Sequence, residues 1–411
     1  MEAPRQSLTV SEALERITGA FTVLPSEQVA LPDALGRVLA EDVAARLTQP
    51  PAAVSAMDGY AVRAADVTDV PVQLKLIGMS QAGSGFDGDI SSGECVRIFT
   101  GAPVPTGADA ILIQEDTETD GDVVTAKASV KEGADIRPAG LDFSEGQVLL
   151  KAGRRLTARD LGLAASMNVP WLKVRRRPRI AIMSTGDELV MPGEPMGADQ
   201  IISSNSVALT AYVRVLGGEP VNVGIARDTV ESFRDVLAGA QGTDILVTIG
   251  GASVGDFDLV RQVLGEDGLN LDFYKIAMRP GKPLIFGHLG DIAVLGLPGN
   301  PVSAGVCSAI YLRAAMAVML GLDADAMPEV ATAKLGRDLP KNGVREDYMR
   351  ALLSRDDKGE LVATPFERQD SAMMANFARA DCLVIRPIEA PPAKAGEVVS
   401  ILRLDLGGGA F

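Results

Sequence analysis

The sequence has 411 residues, too many for one ordinary hydrophobic core, so we expect two to four domains. Hydrophobic residues make up 47% and charged residues 23%, which is typical of a soluble globular protein. The net charge of −15 argues against general nucleic-acid binding, because contact with a phosphate backbone needs a basic surface.

The cysteines and the single histidine argue against two common kinds of site. Cys95, Cys307 and Cys382 are far apart in the sequence, and no Cys-x-x-Cys motif occurs. His288 is the only histidine, and it follows a strand-like run that favours a structural role. A Cys/His zinc site and a Ser-His catalytic triad are therefore not expected.

Two segments bear on location. The N-terminus lacks the apolar region of a secretory signal. The most apolar stretch, residues 304–320, is short for a membrane span and is interrupted by Arg313, so we predict a buried helix. We expect a cytoplasmic protein with free thiols and no membrane contact.

The N-terminal part of the chain predicts a β domain inserted into an elongated region. Thr9 and Glu12 have capping-box spacing and begin a predicted helix that ends at Gly19. Short alternating strands follow, and then a glycine-rich segment and a helix capped by Thr157 return the chain to the first region. The predicted domains are an elongated linker of residues 1–50 plus 139–177 and an inserted β domain of residues 51–138.

The remainder predicts two further domains. From Arg179 to Leu322, apolar strands alternate with helical segments, which is typical of a doubly wound, mostly parallel sheet covered by helices. The last ~80 residues return to short strands and predict a small β-barrel. We place an αβ domain at residues 178–325 and the barrel at residues 326–411.

Four loops of the αβ domain directly follow predicted strands. Open α/β sheets bind ligands at this place, beyond the carboxyl ends of their strands. They span residues 184–189, 226–229, 250–258 and 297–304. Glycine-rich loops bind phosphate through backbone N–H groups, and nearby aspartates hold Mg²⁺ that bridges to it.

Each acidic residue in these loops also has a structural alternative. Asp228, and Asp256 or Asp258, would cap the helices that follow them. Glu188 would be a first-turn carboxylate favoured by a helix dipole.

A basic segment follows in the same domain. Lys275, Arg279 and Lys282 lead into a Pro-Gly turn, and in an acidic protein this cluster favours an anion site over three solvated side chains. The spacing as a whole predicts a Mg²⁺-dependent protein that acts on a phosphorylated ligand.

Six motifs together resemble the molybdopterin molybdenumtransferase family, which includes the E domain of gephyrin. They are SAMDGYAVRAAD, IFTGAPVPTGADAILIQED, STGDEL, IGGASVGDFD, MRPGKP and GLPGNPVSA, and they span essentially the whole chain in the family's order. The resemblance implies an elongated homodimer of four domains with a molybdopterin-binding αβ fold. It also implies cleavage of adenylylated molybdopterin, release of AMP, and insertion of molybdenum from molybdate.

The resemblance implies roles for particular residues. The catalytic positions of the family correspond to Asp58, Thr100, Asp142, Glu188, Asp228 and Asp258. Of these, Asp228 and Asp258 are expected to hold Mg²⁺. The substrate-binding positions correspond to Gly59, Gly250, Gly251, Ser253, Lys275, Arg279, Lys282, Ser303, Arg350 and Ser371. In the family the site lies between the β domain of one subunit and the αβ domain of the other.

Some residues depart from the family pattern. The segment PPAAV before SAMDGY is smaller and less polar than is frequent, Cys382 stands where glycine is expected, and Arg279 replaces a frequent lysine.

Three alternatives stay open at this stage. They are a molybdopterin adenylyltransferase, a molybdopterin-binding scaffold without turnover, and use of tungstate, which matches molybdate in charge and nearly in size. Contacts with an adenylyltransferase and with apo-molybdoenzymes are expected partners.

Overall fold

The computed structural model describes residues 7–251, 259–322 and 330–405. The chain begins with helix α1 (Val10–Gly19), whose predicted capping box is confirmed. The Thr9 N–H donates to Oε2 of Glu12 at 2.8 Å, and the Glu12 N–H donates to Oγ1 of Thr9 at 3.2 Å. These bonds satisfy backbone donors that a helix start otherwise leaves open. The buried side of α1 packs against the core of the αβ domain.

The next elements alternate between the linker and the inserted β domain. The strands are β1 (Ser26–Ala30), β2 (Val43–Ala44), β3 (Val54–Ser55), β4 (Gly59–Val62), β5 (Val72–Ser80), β6 (Glu94–Ile98), β7 (Ala110–Ile113), β8 (Thr117–Asp120), β9 (Val123–Ala126), β10 (Ile136–Arg137), β11 (Val148–Leu150) and β12 (Trp171–Arg175). Helix α2 (Ala158–Ser166) precedes β12 and begins with the predicted Thr157 cap. Short 3₁₀ turns cover Leu31–Asp33, Ala64–Val67 and Gln114–Asp116.

Strand pairing shows how the β domain is inserted. In the linker, β1 pairs with β12 and β2 with β11, so segments on either side of the insertion lie together. The pair β3 and β10 marks where the chain enters and leaves the inserted domain. Inside it, one sheet has the order β7-β4-β6-β5-β9-β8. Along β4, Tyr60 and Val62 face one apolar cluster and Ala61 faces another, as expected for a strand buried on both sides.

The αβ domain and the barrel contain the remaining elements. They are β13 (Arg179–Thr185), β14 (Leu189–Val190), β15 (Ile201–Ile202), α3 (Ser204–Val215), β16 (Glu219–Ala226), α4 (Val230–Ala238), β17 (Ile245–Ile249), α5 (Leu259–Glu266), β18 (Asn270–Lys275), β19 (Met278–Arg279), β20 (Pro283–Leu289), β21 (Ile292–Leu297), α6 (Pro301–Cys307), a π-helical turn (Ser308–Leu312), α7 (Arg313–Leu320), β22 (Val330–Leu335), β23 (Glu346–Arg355), β24 (Leu361–Pro365), α8 (Met374–Arg379), β25 (Cys382–Arg386) and β26 (Val398–Arg403).

The αβ sheet has the order β16-β13-β17-β21-β20-β18. The first four strands are parallel, and β20 and β18 are antiparallel at one edge. One apolar cluster includes residues of α3, α6 and α7, and a second includes Phe233 of α4. The predicted doubly wound, mostly parallel sheet is therefore confirmed. The chain moves from β13 to β16 on one side and then to β17 on the other, which creates a crevice where the strands end.

One helical run, Pro301–Leu320, is long and apolar enough by composition to cross a membrane. However, 83% of its most apolar window is buried inside the protein, as in the core helix of a globular domain. The prediction of a buried helix here is confirmed.

The C-terminal strands close into the predicted barrel. The order β23-β24-β22-β26-β25 returns to β23 through the pairing of β25 with β23. Strand β19 of the preceding domain joins β23 in parallel, with Met278 opposite Glu346 and Arg279 opposite Asp347. This pairing fixes the basic MRPGKP segment against the barrel.

Candidate functional site

A cavity of about 630 Å³ lies at the carboxyl ends of the parallel strands, where three of the four predicted loops meet; residues 226–229 are not among those that line it. We call it the strand-end cavity. Its lining includes Glu188, Gly250 and Gly251 together with residues 203–205 and 298–301. It therefore occupies the crevice between β13 and β17 that the sheet topology creates.

The first acidic loop depends on a glycine. Gly186 has a φ of +139°, and a Cβ at this position would lie 2.2 Å from Oε2 of Glu188. The Glu188 side chain therefore folds over the backbone in a turn that only glycine leaves open. The structural alternative for Glu188 is wrong, because this residue lies in a turn and not in the first turn of a helix.

The first two acidic loops are joined through two aspartates. The Asp228 N–H donates to Oδ1 of Asp187 at 3.0 Å, and the Asp187 N–H donates to Oδ2 of Asp228 at 3.4 Å. Thr229, and not Asp228, caps helix α4 by accepting from Ser232. The capping alternative for Asp228 is therefore wrong, and its carboxylate stands beside a second one at adjacent strand ends.

The glycine loop after β17 turns sharply at the cavity wall. Gly250 and Gly251 have φ values of +89° and +65°, a region that favours glycine. A Cβ on Gly250 would lie 3.0 Å from the Thr185 carbonyl oxygen. Ser253, Asp256 and Asp258 lie outside the described residues, so their predicted roles stay predictions.

Carboxylate donors suit Mg²⁺, which commonly takes one or two carboxylates and completes its coordination with water and substrate phosphates. Asp187 and Asp228 supply such donors at one edge of the sheet. Across residues 7–251, 259–322 and 330–405, no group of three or more His, Cys, Asp or Glu side chains is arranged as a complete metal site. Asp187 and Asp228 thus offer two carboxylates of the type that Mg²⁺ binds.

A second cavity, of about 580 Å³, lies between the linker and the β domain. We call it the β-domain cavity. Asp142, Arg137, Gly101 and residues 49–52 contribute to its lining. The PPAAV segment thus forms part of its wall, and none of the described residues that line it also lines the strand-end cavity.

Asp58 and Thr100 form a tight pair beside Gly101. The Thr100 N–H and hydroxyl both donate to Oδ1 of Asp58 at 2.8 Å. These bonds, first the one from the N–H, hold the pKa of Asp58 below its ordinary value. Gly59 is buried next to them, and a Cβ there would lie 2.1 Å from the Leu112 carbonyl oxygen. Gly59 therefore has a packing reason to be glycine.

The predicted oxyanion residues approach the strand-end cavity from the barrel. Asn300 and Ala372 line that cavity, and Nδ2 of Asn300 donates to Oγ of Ser371 at 3.0 Å. Ser371 also accepts from the Val302 N–H through its carbonyl oxygen at 3.0 Å. Asn300 thus joins the predicted serine to the rim of the cavity.

Arg350 is almost completely buried, with 1% of its surface exposed. Its Nη2 donates to the Asp370 carbonyl oxygen at 2.9 Å, while its Nε has no hydrogen-bond partner among the residues that the structure describes. Burial lowers the pKa of Arg350, and Asp347 and Asp370 oppose that shift. A buried N–H donor without a partner lowers the stability of the folded protein. Such a donor suits the binding of an anionic ligand.

The remaining predicted substrate-binding residues differ in their surroundings. Arg279 forms an ion pair with Asp347. The Nζ of Lys275 lies 4.7 Å from the centroid of the Tyr274 ring, and Lys282 is exposed. Ser303 is buried in α6, with 4% of its surface exposed.

Sequence reasoning missed several neighbours of these residues. Asp187 lies in the motif STGDEL and Asn300 in GLPGNPVSA, so their polar side chains in these motifs could have indicated a site role. No local sequence pattern indicated a site role for Asp347, because its partner Arg279 lies 68 residues away in the chain.

Comparisons with known proteins agree along the whole chain. Residues 8–168 match the family model described as MoeA N-terminal region (domain I and II), residues 181–317 the probable molybdopterin binding domain, and residues 332–404 the MoeA C-terminal region (domain IV). The molybdopterin molybdenumtransferase of Haemophilus influenzae is 34% identical over 92% of this chain and 93% of its own length. The chain belongs to the molybdopterin molybdenumtransferase family.

Further members of the molybdopterin molybdenumtransferase family and a solved structure support the same conclusion. The Bacillus subtilis member is 32% identical over 97% of this chain and 94% of its own length. The crystal structure of a molybdopterin biosynthesis moea protein from Pyrococcus horikosii is 30% identical. It covers 98% of this chain and 100% of its own, with a TM-score of 0.84. The resemblance and the multidomain fold inferred from the sequence are thereby confirmed.

Proposed function

We propose that this protein transfers molybdenum from molybdate to adenylylated molybdopterin, cleaves the pyrophosphate bond and releases AMP. One observation carries the proposal. The strand-end cavity is bordered by the acidic Glu188 loop on one side and by Asn300, which holds Ser371, on the other. Groups suited to a phosphorylated ligand and groups suited to an oxyanion therefore meet at one cavity.

The residue types fit this chemistry. Molybdate is a dianion, so Arg350, Arg279 and the hydroxyl of Ser371 would hold it by charge and hydrogen bonds. The dithiolene sulfurs of the substrate supply the attacking atoms, so no protein nucleophile is required. The lowered pKa of Asp58 makes this carboxylate a weak base, which suits a group that orients water by hydrogen bonding better than a proton acceptor.

We propose Mg²⁺ as the cofactor, held by Asp228 and Asp258, with Asp187 beside Asp228. When bound, the ion would offset the charge of the pyrophosphate. The change Asp258→Ala is expected to abolish AMP release while the thermal unfolding midpoint stays near that of the wild type. Activity close to that of the wild type at saturating Mg²⁺ would contradict the metal assignment.

We further propose a cytoplasmic homodimer whose site is shared between subunits. Asp58, Thr100 and Asp142 lie at or next to the β-domain cavity. Glu188 and Asp228 lie at or next to the strand-end cavity. Among the described residues of one chain, the two cavities share no lining residue. This separation supports a dimer in which each cavity faces the complementary one of the partner. An adenylyltransferase that supplies the substrate and apo-molybdoenzymes that accept the product are the proposed partners.

The decisive assay supplies purified protein with adenylylated molybdopterin and Mg²⁺, with and without molybdate. The proposal predicts AMP release that depends on molybdate, with tungstate tested in parallel. Consumption of ATP with molybdopterin would instead favour an adenylyltransferase. Tight binding of adenylylated molybdopterin without AMP release under every condition would favour a scaffold.

A further inference from the structure

Asp347 holds the guanidinium of Arg279 through both carboxylate oxygens. Nε of Arg279 donates to Oδ1 at 2.9 Å, and Nη2 donates to Oδ2. The Asp347 side chain is only 8% exposed, whereas that of Arg279 is 56% exposed. Because β19 and β23 place the two residues directly opposite each other, the pairing is built into the junction between the domains. A bidentate contact fixes the orientation of a guanidinium as well as its distance.

The same carboxylate also acts on Arg350. Asp347 and Arg350 lie on the same strand, β23, and Asp347 holds Arg279. Asp347 raises the pKa of Arg350, whereas the positive charge of Arg279 lowers it. The two guanidinium groups repel each other, and Asp347 offsets part of that repulsion. Arg279 keeps donors that the pair does not use, and Arg350 keeps its unpartnered buried Nε.

We propose that Asp347 is a positioning residue for the oxyanion substrate. It holds the otherwise exposed Arg279 against β23, the strand that also carries Arg350, so that the guanidinium of Arg279 is already in place when the dianion arrives. This inference rests on the proposed function, because the oxyanion is molybdate. Preorganisation of this kind increases affinity by removing the entropic cost of ordering a long side chain during binding.

The direction in which molybdate affinity changes when Asp347 is neutralised distinguishes positioning of Arg279 from simple charge repulsion. A carboxylate close to a dianion repels it, so neutralising Asp347 would tighten molybdate binding if the residue did not act through Arg279. If Asp347 positions Arg279, the same substitution weakens binding even though the pocket becomes more positive.

The test is calorimetric titration of molybdate into the full-length protein and its variants. We expect Asp347→Asn to raise the Kd about tenfold, the scale of one charge-assisted hydrogen bond. Arg279→Ala should raise the Kd similarly, and the double variant should be no weaker than Arg279→Ala alone, because Asp347 acts only through Arg279. Asp356→Asn removes a carboxylate that pairs with Lys334 on the same barrel and should leave the Kd unchanged.

Several outcomes would overturn the assignment. Tighter or unchanged molybdate binding by Asp347→Asn would do so, as would losses that multiply in the double variant. If Asp347→Asn does not fold, Asp347→Glu keeps the charge but shifts the carboxylate, and it should still weaken binding; an unchanged Kd would contradict the proposal. Failure of the wild type to bind molybdate would instead reject the proposed function and this assignment with it.

Discussion

Thr100 donates its N–H and its hydroxyl to the same oxygen of Asp58, and both distances are 2.8 Å. The two bonds stabilise the ionised carboxylate, so the pKa of Asp58 lies below its ordinary value. Because the folded-state pKa is lowered, the contact stabilises the protein above the unfolded-state pKa. That contribution is lost as the pH falls through the folded-state pKa.

Thr100→Val removes the hydroxyl bond and leaves the N–H bond in place. We expect the pKa of Asp58 to rise towards its ordinary value, because one of the two bonds to its carboxylate is lost. Carboxyl carbon chemical shifts followed by NMR against pH would measure the change. Thr117→Val is the matched control, since the Thr117 hydroxyl donates to a backbone carbonyl oxygen and not to a carboxylate. An unchanged pKa of Asp58 in Thr100→Val would contradict this account of the pair.

Mixed dimers test the shared site. Asp58→Ala and Asp228→Ala change opposite sides of the proposed site, and each variant alone is expected to release little AMP. If each site combines the β domain of one subunit with the αβ domain of the other, a mixed dimer has one intact site. Random pairing then restores about a quarter of wild-type activity. Co-expression with two different affinity tags would provide the mixed dimers, and no recovery of AMP release in them would show that each site lies within one chain.

Gly59→Ala tests whether packing explains this glycine. The added Cβ would meet the Leu112 carbonyl oxygen at 2.1 Å, and this backbone atom cannot move away as a side-chain end does. We expect the free energy of unfolding to fall by about 1–3 kcal/mol, the usual cost of overpacking. Gly162→Ala is the control, because a Cβ at Gly162 meets nothing within 4 Å and alanine favours a helix. Equal stability of the two variants in urea denaturation would refute the packing explanation.

Arg350→Ala should raise the molybdate concentration needed for half-maximal AMP release more than it weakens binding of adenylylated molybdopterin. The reason is that it removes the buried guanidinium with the unpartnered Nε from the oxyanion side. Arg386→Ala is a matched control, because Arg386 is also buried in the barrel and donates to the carbonyl oxygens of Pro340 and Pro391. It should lower stability without changing the molybdate requirement. A selective loss of nucleotide binding in Arg350→Ala would remove this residue from the oxyanion pocket.

Local patterns were sufficient to predict the architecture. The capping box at Thr9, the helix cap at Thr157 and the alternation of strands and helices after Arg179 are short-range signals, and the structure confirms them. The edge strand Asn270–Lys275 was missed, because its short sequence lies between a helix and the MRPGKP segment and its only strand partner in the described part of the chain is the antiparallel β20. Strand Val330–Leu335, which lies between β24 and β26 in the barrel, was also missed.

The candidate site was predictable only where its residues lie in one motif. Glu188 and Gly250 could be selected from their own loops, whereas Asp58 was assigned only through the family resemblance. The contacts that orient such groups join distant segments: Asp187 meets Asp228 across 41 residues, and Arg279 meets Asp347 across 68. These pairings follow from the order of strands in the sheet and barrel, which spacing along the chain does not encode.

The central claim is molybdenum transfer coupled to cleavage of the pyrophosphate bond. Its most direct test measures two products in one reaction of the wild-type protein: AMP by chromatography, and molybdenum bound to the pterin by elemental analysis after gel filtration. The account predicts that both appear in equal amounts, and only when molybdate is present. Release of AMP without molybdenum on the pterin, or formation of neither product, would contradict it.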